Sequence, residues 1–236
     1  MGSRRQCEEL ILTGRVEVDR KVVTQLGTKV DPSQQQIRVD GVALPRPDRA
    51  YFAVHKPSGV VSTNRDPSGR PRVVDLVPFP ELRLFPIGRL DLHSEGLMLL
   101  TNDGELANRL MHPRYGVEKT YRVLVAGRPS PEVLSELRRG VHLAEGVARA
   151  TSVIVKKELK QSTVMELVLK EGRNREIRRI LARVGHKVLR LLRLAVGPVR
   201  LADLPAGGFR RLTREEVDAL RRATEGFRVR GPGGRK

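Results

Sequence analysis

The stretch at residues 88–104, GRLDLHSEGLMLLTNDG, is the one from which most of the expected fold follows. It places Asp91 on a tight Gly-Arg-Leu-Asp turn, and the apolar run 97–100 behind it predicts a short buried strand. A carboxylate held beside a buried strand, with Arg89 two residues earlier, is placed like a catalytic group on a rigid scaffold. On residue types alone, a loop aspartate that caps local backbone amides is an equally good interpretation.

The charge of the chain predicts a polyanionic partner. The 236 residues include 45 Lys and Arg against 27 Asp and Glu, which makes a formal net charge of +18. An excess of this size, spread along the chain, is the electrostatic footprint of a protein that binds nucleic acid. An Arg-rich protein without such a ligand is the weaker interpretation, because self-repulsion destabilises its compact state.

The inventory of possible metal ligands and membrane segments excludes other classes. Cys7 is the single cysteine, so neither an intrachain disulfide nor a thiolate zinc site can form. The five histidines show no spacing typical of metal ligands, so we expect no metal. No signal peptide and no membrane-spanning run are recognisable, which predicts a cytoplasmic protein with no membrane partner.

Residues 1–44 predict a small module of one helix and short strands. A capping-box pattern at Ser3 and Gln6 begins the helix, which is expected to end at Gly14. Strands are expected at residues 16–18, 21–23 and 37–39. Residues 45–50 predict a linker, because prolines and charged residues dominate there.

Residues 51–222 predict a larger α+β domain with a mixed or antiparallel sheet and a cleft along it. Strands are expected at residues 51–54, 97–100, 117–125, 148–155, 163–170 and 188–201. Helices are expected at residues 104–111 after the N-cap Asp103, 131–140, 171–186 and 213–222. The long Pro/Gly-rich segment 56–80 predicts a functional loop, and the basic residues 223–236 predict a disordered tail.

The helix predicted within residues 171–186, EGRNREIRRILARVGH, is amphipathic and basic. Ile177, Ile180, Leu181 and Val184 recur at helical spacing. Five arginines supply the charge, namely Arg173, Arg175, Arg178, Arg179 and Arg183. We expect this basic helix to face the acidic turn at Asp91.

Three motifs, GRLDLHSEGLMLLTNDGELANRLMHP, VEKTY and EGRNREIRRI, resemble in their order and separation the RsuA family of pseudouridine synthases. The resemblance covers about residues 51–220, and EGRNREIRR is similar to the large-subunit rRNA members, the RluB type. It implies an α+β catalytic domain that converts a specific uridine of rRNA into pseudouridine. The N1–C1′ bond is cleaved, the uracil turns, and C5 is joined to C1′, a reaction that needs no cofactor.

The resemblance also implies roles for individual residues. Asp91 matches the family's catalytic aspartate, which attacks the sugar or takes its C2′ proton. Arg178 matches the basic residue that keeps the aspartate ionised. Tyr121 matches the tyrosine that stacks on the flipped base and moves the C5 proton, although on residue type alone a core tyrosine stays open. Arg89 matches an arginine that contacts RNA near that base.

The segment SRRQCEELILTGRVEVDRKVVTQLGTKVDP resembles the second helix and strands of an S4-type RNA-binding module. The family module has one more helix before this turn, so residues 1–44 are expected to form a partial module. The resemblance and the basic character of the chain predict further RNA contacts at Arg4, Arg5, Arg15, Arg173, Arg175 and Arg179. For Arg173, Arg179 and Arg183 the better interpretation is a solvated arginine on a basic helix or a contact with phosphate.

Three other functions stay open from the residues. A glycoside hydrolase uses two carboxylates, here Asp91 and Glu95, but the net charge of +18 argues against a neutral sugar substrate. A non-catalytic rRNA-binding protein explains the charge, but not the combination of Asp91, Tyr121 and Arg178. A small-subunit rRNA target has the same chemistry. We expect a monomer whose partner is rRNA, most simply of the large subunit.

Overall fold

The computed structural model describes residues 4–32, 34–45 and 48–225, which form two compact units, Met1–Asp48 and Arg49–Lys236. The candidate N-cap Ser3, the side chain of Arg4 and the tail residues 226–236 lie outside the described residues. So does Pro47 of the expected linker. No helix in the described part of the chain is long and apolar enough to cross a membrane.

The first unit consists of one helix and a small antiparallel sheet. Its elements are α1 (Arg4–Leu12), β1 (Val16–Val18), β2 (Lys21–Val22), β3 (Ile37–Val39) and β4 (Val42–Ala43), with the strands ordered β2-β1-β3-β4. Asp40 and Gly41 both have positive φ, as a tight hairpin turn between β3 and β4 requires. The predicted helix and three strands are confirmed, and β4 was not predicted.

The second unit is built on one large mixed sheet with helices on both faces. Its elements are β5 (Tyr51–Lys56), β6 (Phe85–Ile87), β7 (Glu95–Thr101), α2 (Gly104–Met111), β8 (Lys119–Ala126), α3 (Pro131–Arg139), β9 (Val141–Leu143), β10 (Gly146–Ala148), β11 (Ser152–Glu158), β12 (Ser162–Leu169), α4 (Glu176–Arg183), β13 (Val188–Val196), β14 (Val199–Arg200), β15 (Phe209–Arg211) and α5 (Arg214–Glu225). The main order is β11-β12-β8-β13-β7-β5-β15, with β6 on β7 and β14 on β13, whereas β9 and β10 form a separate hairpin. The predicted α+β class with a mixed sheet is confirmed.

Strand β7 lies at the centre of the sheet, and both of its faces are buried. Leu97 and Leu99 belong to the core that α2 and α5 cover, whereas Met98 and Leu100 belong to the core under α3 and α4. Because successive side chains of a strand point to opposite faces, a strand buried on both faces needs an unbroken apolar run. This explains why residues 97–100 show no alternation of apolar and polar types.

The pairing of β7 with β13 is parallel and depends on one glycine. Leu192 lies opposite Glu95 and Arg193 opposite Gly96. A Cβ at Gly96 would lie 2.3 Å from the carbonyl oxygen of Arg193, and Gly96 has a φ of +110°. Only glycine allows this close approach. The approach places β13 beside the strand that follows Asp91.

Three expectations for the second unit are wrong in their extent. The helix expected over residues 171–186 is α4, Glu176–Arg183, because Arg175 has left-handed backbone and residues 171–175 form a loop. The strand expected at 148–155 is two strands, β10 and β11, of which β10 pairs with the unpredicted β9. The last helix continues three residues beyond Arg222 to Glu225, and the short strands β6 and β15 were not predicted.

Candidate active site

A buried lysine stabilises the turn that carries Asp91. Lys56, at the end of β5, is fully buried, and its ammonium donates to the carbonyl oxygens of Pro57 at 3.0 Å, Leu92 at 3.2 Å and Ser94 at 2.7 Å. Burial lowers the pKa of Lys56 to about 8. This lysine therefore ties the residues that follow Asp91 in the turn to the end of β5.

The predicted functional loop 56–80 supports the same turn from the other side. Ser62 is buried, and its hydroxyl donates to the Leu90 carbonyl at 2.9 Å and accepts from the Leu90 amide at 3.1 Å. The amide of Gly59 donates to the carbonyl of Leu92 at 2.9 Å. Because these hydrogen bonds come from a different segment than the turn itself, Asp91 is positioned by tertiary structure.

Two arginines approach one oxygen of Asp91. The Arg178 Nε lies 3.7 Å and the Arg175 Nη1 3.4 Å from the Asp91 Oδ2. No backbone amide of the described residues donates to this carboxylate, whose side chain is 29% exposed. The structure therefore brings Arg178 to Asp91, and it adds Arg175, for which we had expected only an RNA contact.

The two arginines differ in how they are held. Arg178 is 17% exposed and donates to the Ser94 Oγ and to the Val188 carbonyl, each at 3.4 Å. Burial lowers the pKa of Arg178, although the guanidinium stays charged at any ordinary pH. Arg175 is 54% exposed, and Asp91 supplies its one side-chain contact within the described chain.

Tyr121 lies across the sheet from this ion pair, on β8. It is buried, lies opposite Leu167 on β12 and Arg193 on β13, and lines the cavity that Asp91 also lines. The buried Arg193 donates from Nε to the carbonyl of Leu97 at 2.6 Å. The order of the strands thus brings Asp91, Tyr121 and Arg193 to the same cavity.

Lys119 is a second cation that sequence reasoning missed. It lies two residues before Tyr121 on β8, hence on the same face of the strand, and lines the cavity. Its pKa is lowered to about 8, first by burial and then by the positive charge of the nearby Arg193. In the described part of the chain no carboxylate pairs with it. In the sequence, its position two residues before the candidate Tyr121 was the one indication of such a role.

The cavity beside Asp91 is large and basic. Its volume is about 790 Å³, within the range that holds drug-sized ligands. Seven cationic side chains line it against the two carboxylates of Asp66 and Asp91: Arg65, Arg70, Arg89, Lys119, Arg173, Arg175 and Arg193. The cleft suits a negatively charged ligand with a flat group that can enter beside Tyr121.

The remaining candidate arginines that line the cleft differ in whether they already form ion pairs. Arg89 lines the cleft and forms no ion pair with any residue that the structure describes. Arg173 also lines it, but its guanidinium binds Glu171 at 2.8 Å and the carbonyls of Gly146 and Val147 at 3.0 and 3.1 Å. Arg173 therefore ties the loop before α4 to the β9–β10 hairpin.

Other predicted RNA contacts lie in ion pairs or on open surface. Arg179 pairs with Glu145 and is not among the residues that line the cleft. In the first unit, Arg15 pairs with Asp40 at 2.6 Å, and Arg5 is exposed. No group of three or more potential metal ligands occurs among residues 4–32, 34–45 and 48–225.

Comparisons with known proteins relate both units to RNA-modifying proteins. The RNA pseudouridylate synthase family matches residues 50–183, and the S4 domain family matches residues 1–35. A ribosomal large subunit pseudouridine synthase B of Bacillus subtilis is 45% identical over 94% of this chain and 91% of its own length. The protein of the same name from Yersinia pestis is 40% identical over 95% of this chain and 73% of its own length.

A solved structure shows the same architecture. A crystal structure of a pseudouridylate synthase is 28% identical, with a TM-score of 0.66, and the match covers 92% of this chain and 94% of that one. These similarities confirm the resemblance that the three motifs and the N-terminal segment indicated.

Proposed function

The chain belongs to the RNA pseudouridylate synthase family, and from that premise we propose that it isomerises a specific uridine of large-subunit rRNA to pseudouridine. Membership makes it an isomerase that acts on RNA. The choice of large-subunit rRNA is supported by the names of relatives at 40–45% identity. The observation that carries the proposal is the ion pair of Asp91 with Arg178, beside the basic cleft that Asp91 and Tyr121 both line.

Asp91 is the proposed reactive carboxylate. Both arginines approach its Oδ2, which leaves Oδ1 to attack C1′ or to take the C2′ proton. In the first case an ester forms at C1′ while the N1–C1′ electron pair leaves with uracil. C5 of the turned base then attacks C1′ and releases the carboxylate, and the C5 proton passes to N1 to restore the neutral base. Arg178 lies beside Oδ2 and offsets the negative charge of the carboxylate before the ester forms and after it is released.

Tyr121 is the proposed partner of the target base. A base that leaves its stack loses a few kcal/mol of interaction, and stacking on an aromatic ring offsets part of that cost. The tyrosine hydroxyl can also relay the C5 proton towards N1, because it can donate its own proton as it accepts the other. The location of Tyr121 in the cleft of Asp91 supports this role.

RNA binding is proposed to use both units. In the unit Arg49–Lys236 the proposed contacts are Arg89, Arg173, Arg175 and Arg179, and in the unit Met1–Asp48 they are Arg4, Arg5 and Arg15. Residues 1–44 are the proposed RNA-binding module and residues 51–222 the proposed catalytic domain, and we expect a monomer to act. Because such contacts release counterions, affinity should fall steeply as the salt concentration rises.

The test is to map pseudouridines in large- and small-subunit rRNA transcripts after incubation with the wild type and with Asp91→Asn. Glu105→Gln is the matched control, because Glu105 is an exposed carboxylate on α2 that pairs with Arg109. We expect one new pseudouridine in the large-subunit transcript with wild type and control, and none with Asp91→Asn.

Other outcomes of the mapping would contradict specific parts of the proposal. Modification by Asp91→Asn at the wild-type rate would remove Asp91 from its catalytic role. A new pseudouridine only in small-subunit rRNA would correct the substrate. Tight binding of either transcript without modification by any of the three proteins would favour a non-catalytic rRNA-binding function.

A further inference from the structure

The two arginines that share the Asp91 Oδ2 are not equivalent, and the difference in how they are held points to different roles. Arg178 is anchored by two further hydrogen-bond acceptors, the Ser94 Oγ and the Val188 carbonyl, and it is 17% exposed. It cannot leave Asp91 without losing these contacts as well. An anchored guanidinium of this kind is a permanent partner of the carboxylate.

Arg175 has no such anchor. Its side chain is 54% exposed, and the one hydrogen bond or ion pair that it forms within the described chain is that of 3.4 Å to Asp91. An exposed ion pair is weak, because water and salt screen it. A phosphate, with several acceptor oxygens for the planar guanidinium, is a stronger partner than this carboxylate.

The backbone of Arg175 keeps its side chain at the cleft. Arg175 is the N-cap of α4 and has left-handed backbone, with φ of 49°, a conformation that non-glycine residues adopt rarely. Its side chain lines the large cavity together with Asp91 and Tyr121. A base that enters beside Tyr121 brings its ribose to Asp91, and the ribose connects through few bonds to the two flanking phosphates.

We propose that Arg175 is a displaceable partner of Asp91: it pairs with the carboxylate before RNA binds and moves to a phosphate next to the target uridine when RNA enters. This inference rests on the proposed function of the same cleft. In the complex, Asp91 keeps Arg178 alone, so Arg175 contributes to RNA binding and Arg178 to the chemical step.

The inference predicts a separation between binding and rate that can be measured with the full chain. The variants are Arg175→Gln, Arg175→Lys and Arg178→Gln, with Arg139→Gln as the control. Arg139 is exposed at the end of α3, forms no ion pair with any described residue and does not line the cleft. For each protein, single-turnover pseudouridine formation on an rRNA fragment gives the half-saturating enzyme concentration and the maximal rate, and binding at several salt concentrations gives the salt slope.

Arg175→Gln should raise the half-saturating concentration about tenfold, as expected for the loss of one hydrogen bond to a charged group. Its maximal rate should stay within about twofold of wild type, because in the complex Arg175 no longer touches Asp91. The salt slope should fall by about 0.7 to 0.9, which corresponds to one phosphate contact. Arg175→Lys should restore the slope, whereas Arg139→Gln should change neither quantity.

The opposite pattern would overturn the inference. If Arg175→Gln lowers the maximal rate tenfold or more and leaves the salt slope unchanged, Arg175 is a permanent partner of Asp91 like Arg178. An equal loss of slope in Arg139→Gln would show a general effect of charge. Failure of the proposed function looks different, because wild type itself would then form no pseudouridine. The salt slope of Arg175→Gln would still decide the phosphate contact, and an unchanged slope would reject it.

Discussion

The candidate active site is assembled from two regions that hold their residues by different physical means. The Asp91 turn is held by buried hydrogen bonds, from Lys56 to Leu92 and Ser94 and from Ser62 to Leu90. The loop 171–175 is held largely by charged contacts at the surface, such as Arg173 with Glu171. Buried polar contacts are costly to break, whereas exposed ion pairs contribute little to stability. The aspartate is therefore placed on a rigid support, and its arginine partners come partly from a region that can adjust.

The largest effect should come from breaking the support of the Asp91 turn. Lys56→Met removes a donor from three carbonyl oxygens, of which that of Leu92 keeps the Gly59 amide, and we expect the free energy of unfolding to fall by about 3 kcal/mol. Pseudouridine formation should fall as well, because the turn loses its link to β5. Urea denaturation measures the stability, with Lys119→Met as the matched control, since the Lys119 ammonium donates no hydrogen bond to any described residue. Equal losses in both variants would mean that the stability comes from burial of a lysine side chain and not from the three hydrogen bonds of Lys56.

A small effect is expected in the exposed region. Arg179→Gln removes the surface ion pair with Glu145, and the unfolding free energy should stay close to that of the wild type. In the same urea experiment, the loss of unfolding free energy should therefore be much smaller for Arg179→Gln than for Lys56→Met. A loss as large as that of Lys56→Met would show that the ion pairs of this region support the fold as the buried hydrogen bonds do, and the distinction would not hold.

A third effect concerns Lys119 and depends on pH. Burial lowers the pKa of Lys119 to about 8 in the folded chain, below the ordinary value of 10.5 that applies when the chain is unfolded. Between these values the unfolded chain binds more protons, so stability should rise with pH in this window. From pH 7.5 to pH 9.5 the wild type should gain stability relative to Lys119→Met. Parallel pH profiles for the two proteins would show that Lys119 is not desolvated in the cleft. Lys56 titrates in the same window, but it is present in both proteins.

Local signals predicted the Asp91 region well. The apolar run 97–100 predicted β7, and Asp103 predicted the start of α2, where its carboxylate accepts from the Leu106 amide at 3.1 Å. Lys56 was missed, because the three carbonyls that explain its burial include two that lie 36 and 38 residues further along the chain. A lysine that ends an apolar strand carries no local sign of this role.

The loop before α4 was the main error, and its cause is also non-local. The arginines and the apolar spacing predicted one helix over 171–186, but Arg173 turns its guanidinium to the carbonyls of Gly146 and Val147 instead. That contact needs the β9–β10 hairpin, which was not predicted. Because Arg175 has left-handed backbone, the helix begins only at Glu176. As a result both Arg175 and Arg178 lie beside Asp91.

The sequence by itself determined the fold class, the central strand, most helices and the family, because apolar periodicity, helix caps and three spaced motifs are local properties of the chain. Only the tertiary structure decided which groups support Asp91 and which arginines meet it. The reason is physical: a buried ammonium or a shared carboxylate oxygen is specified by partners that sheet order brings together from distant segments. For Asp91 those segments are the end of β5, the loop 56–80 and the start of α4.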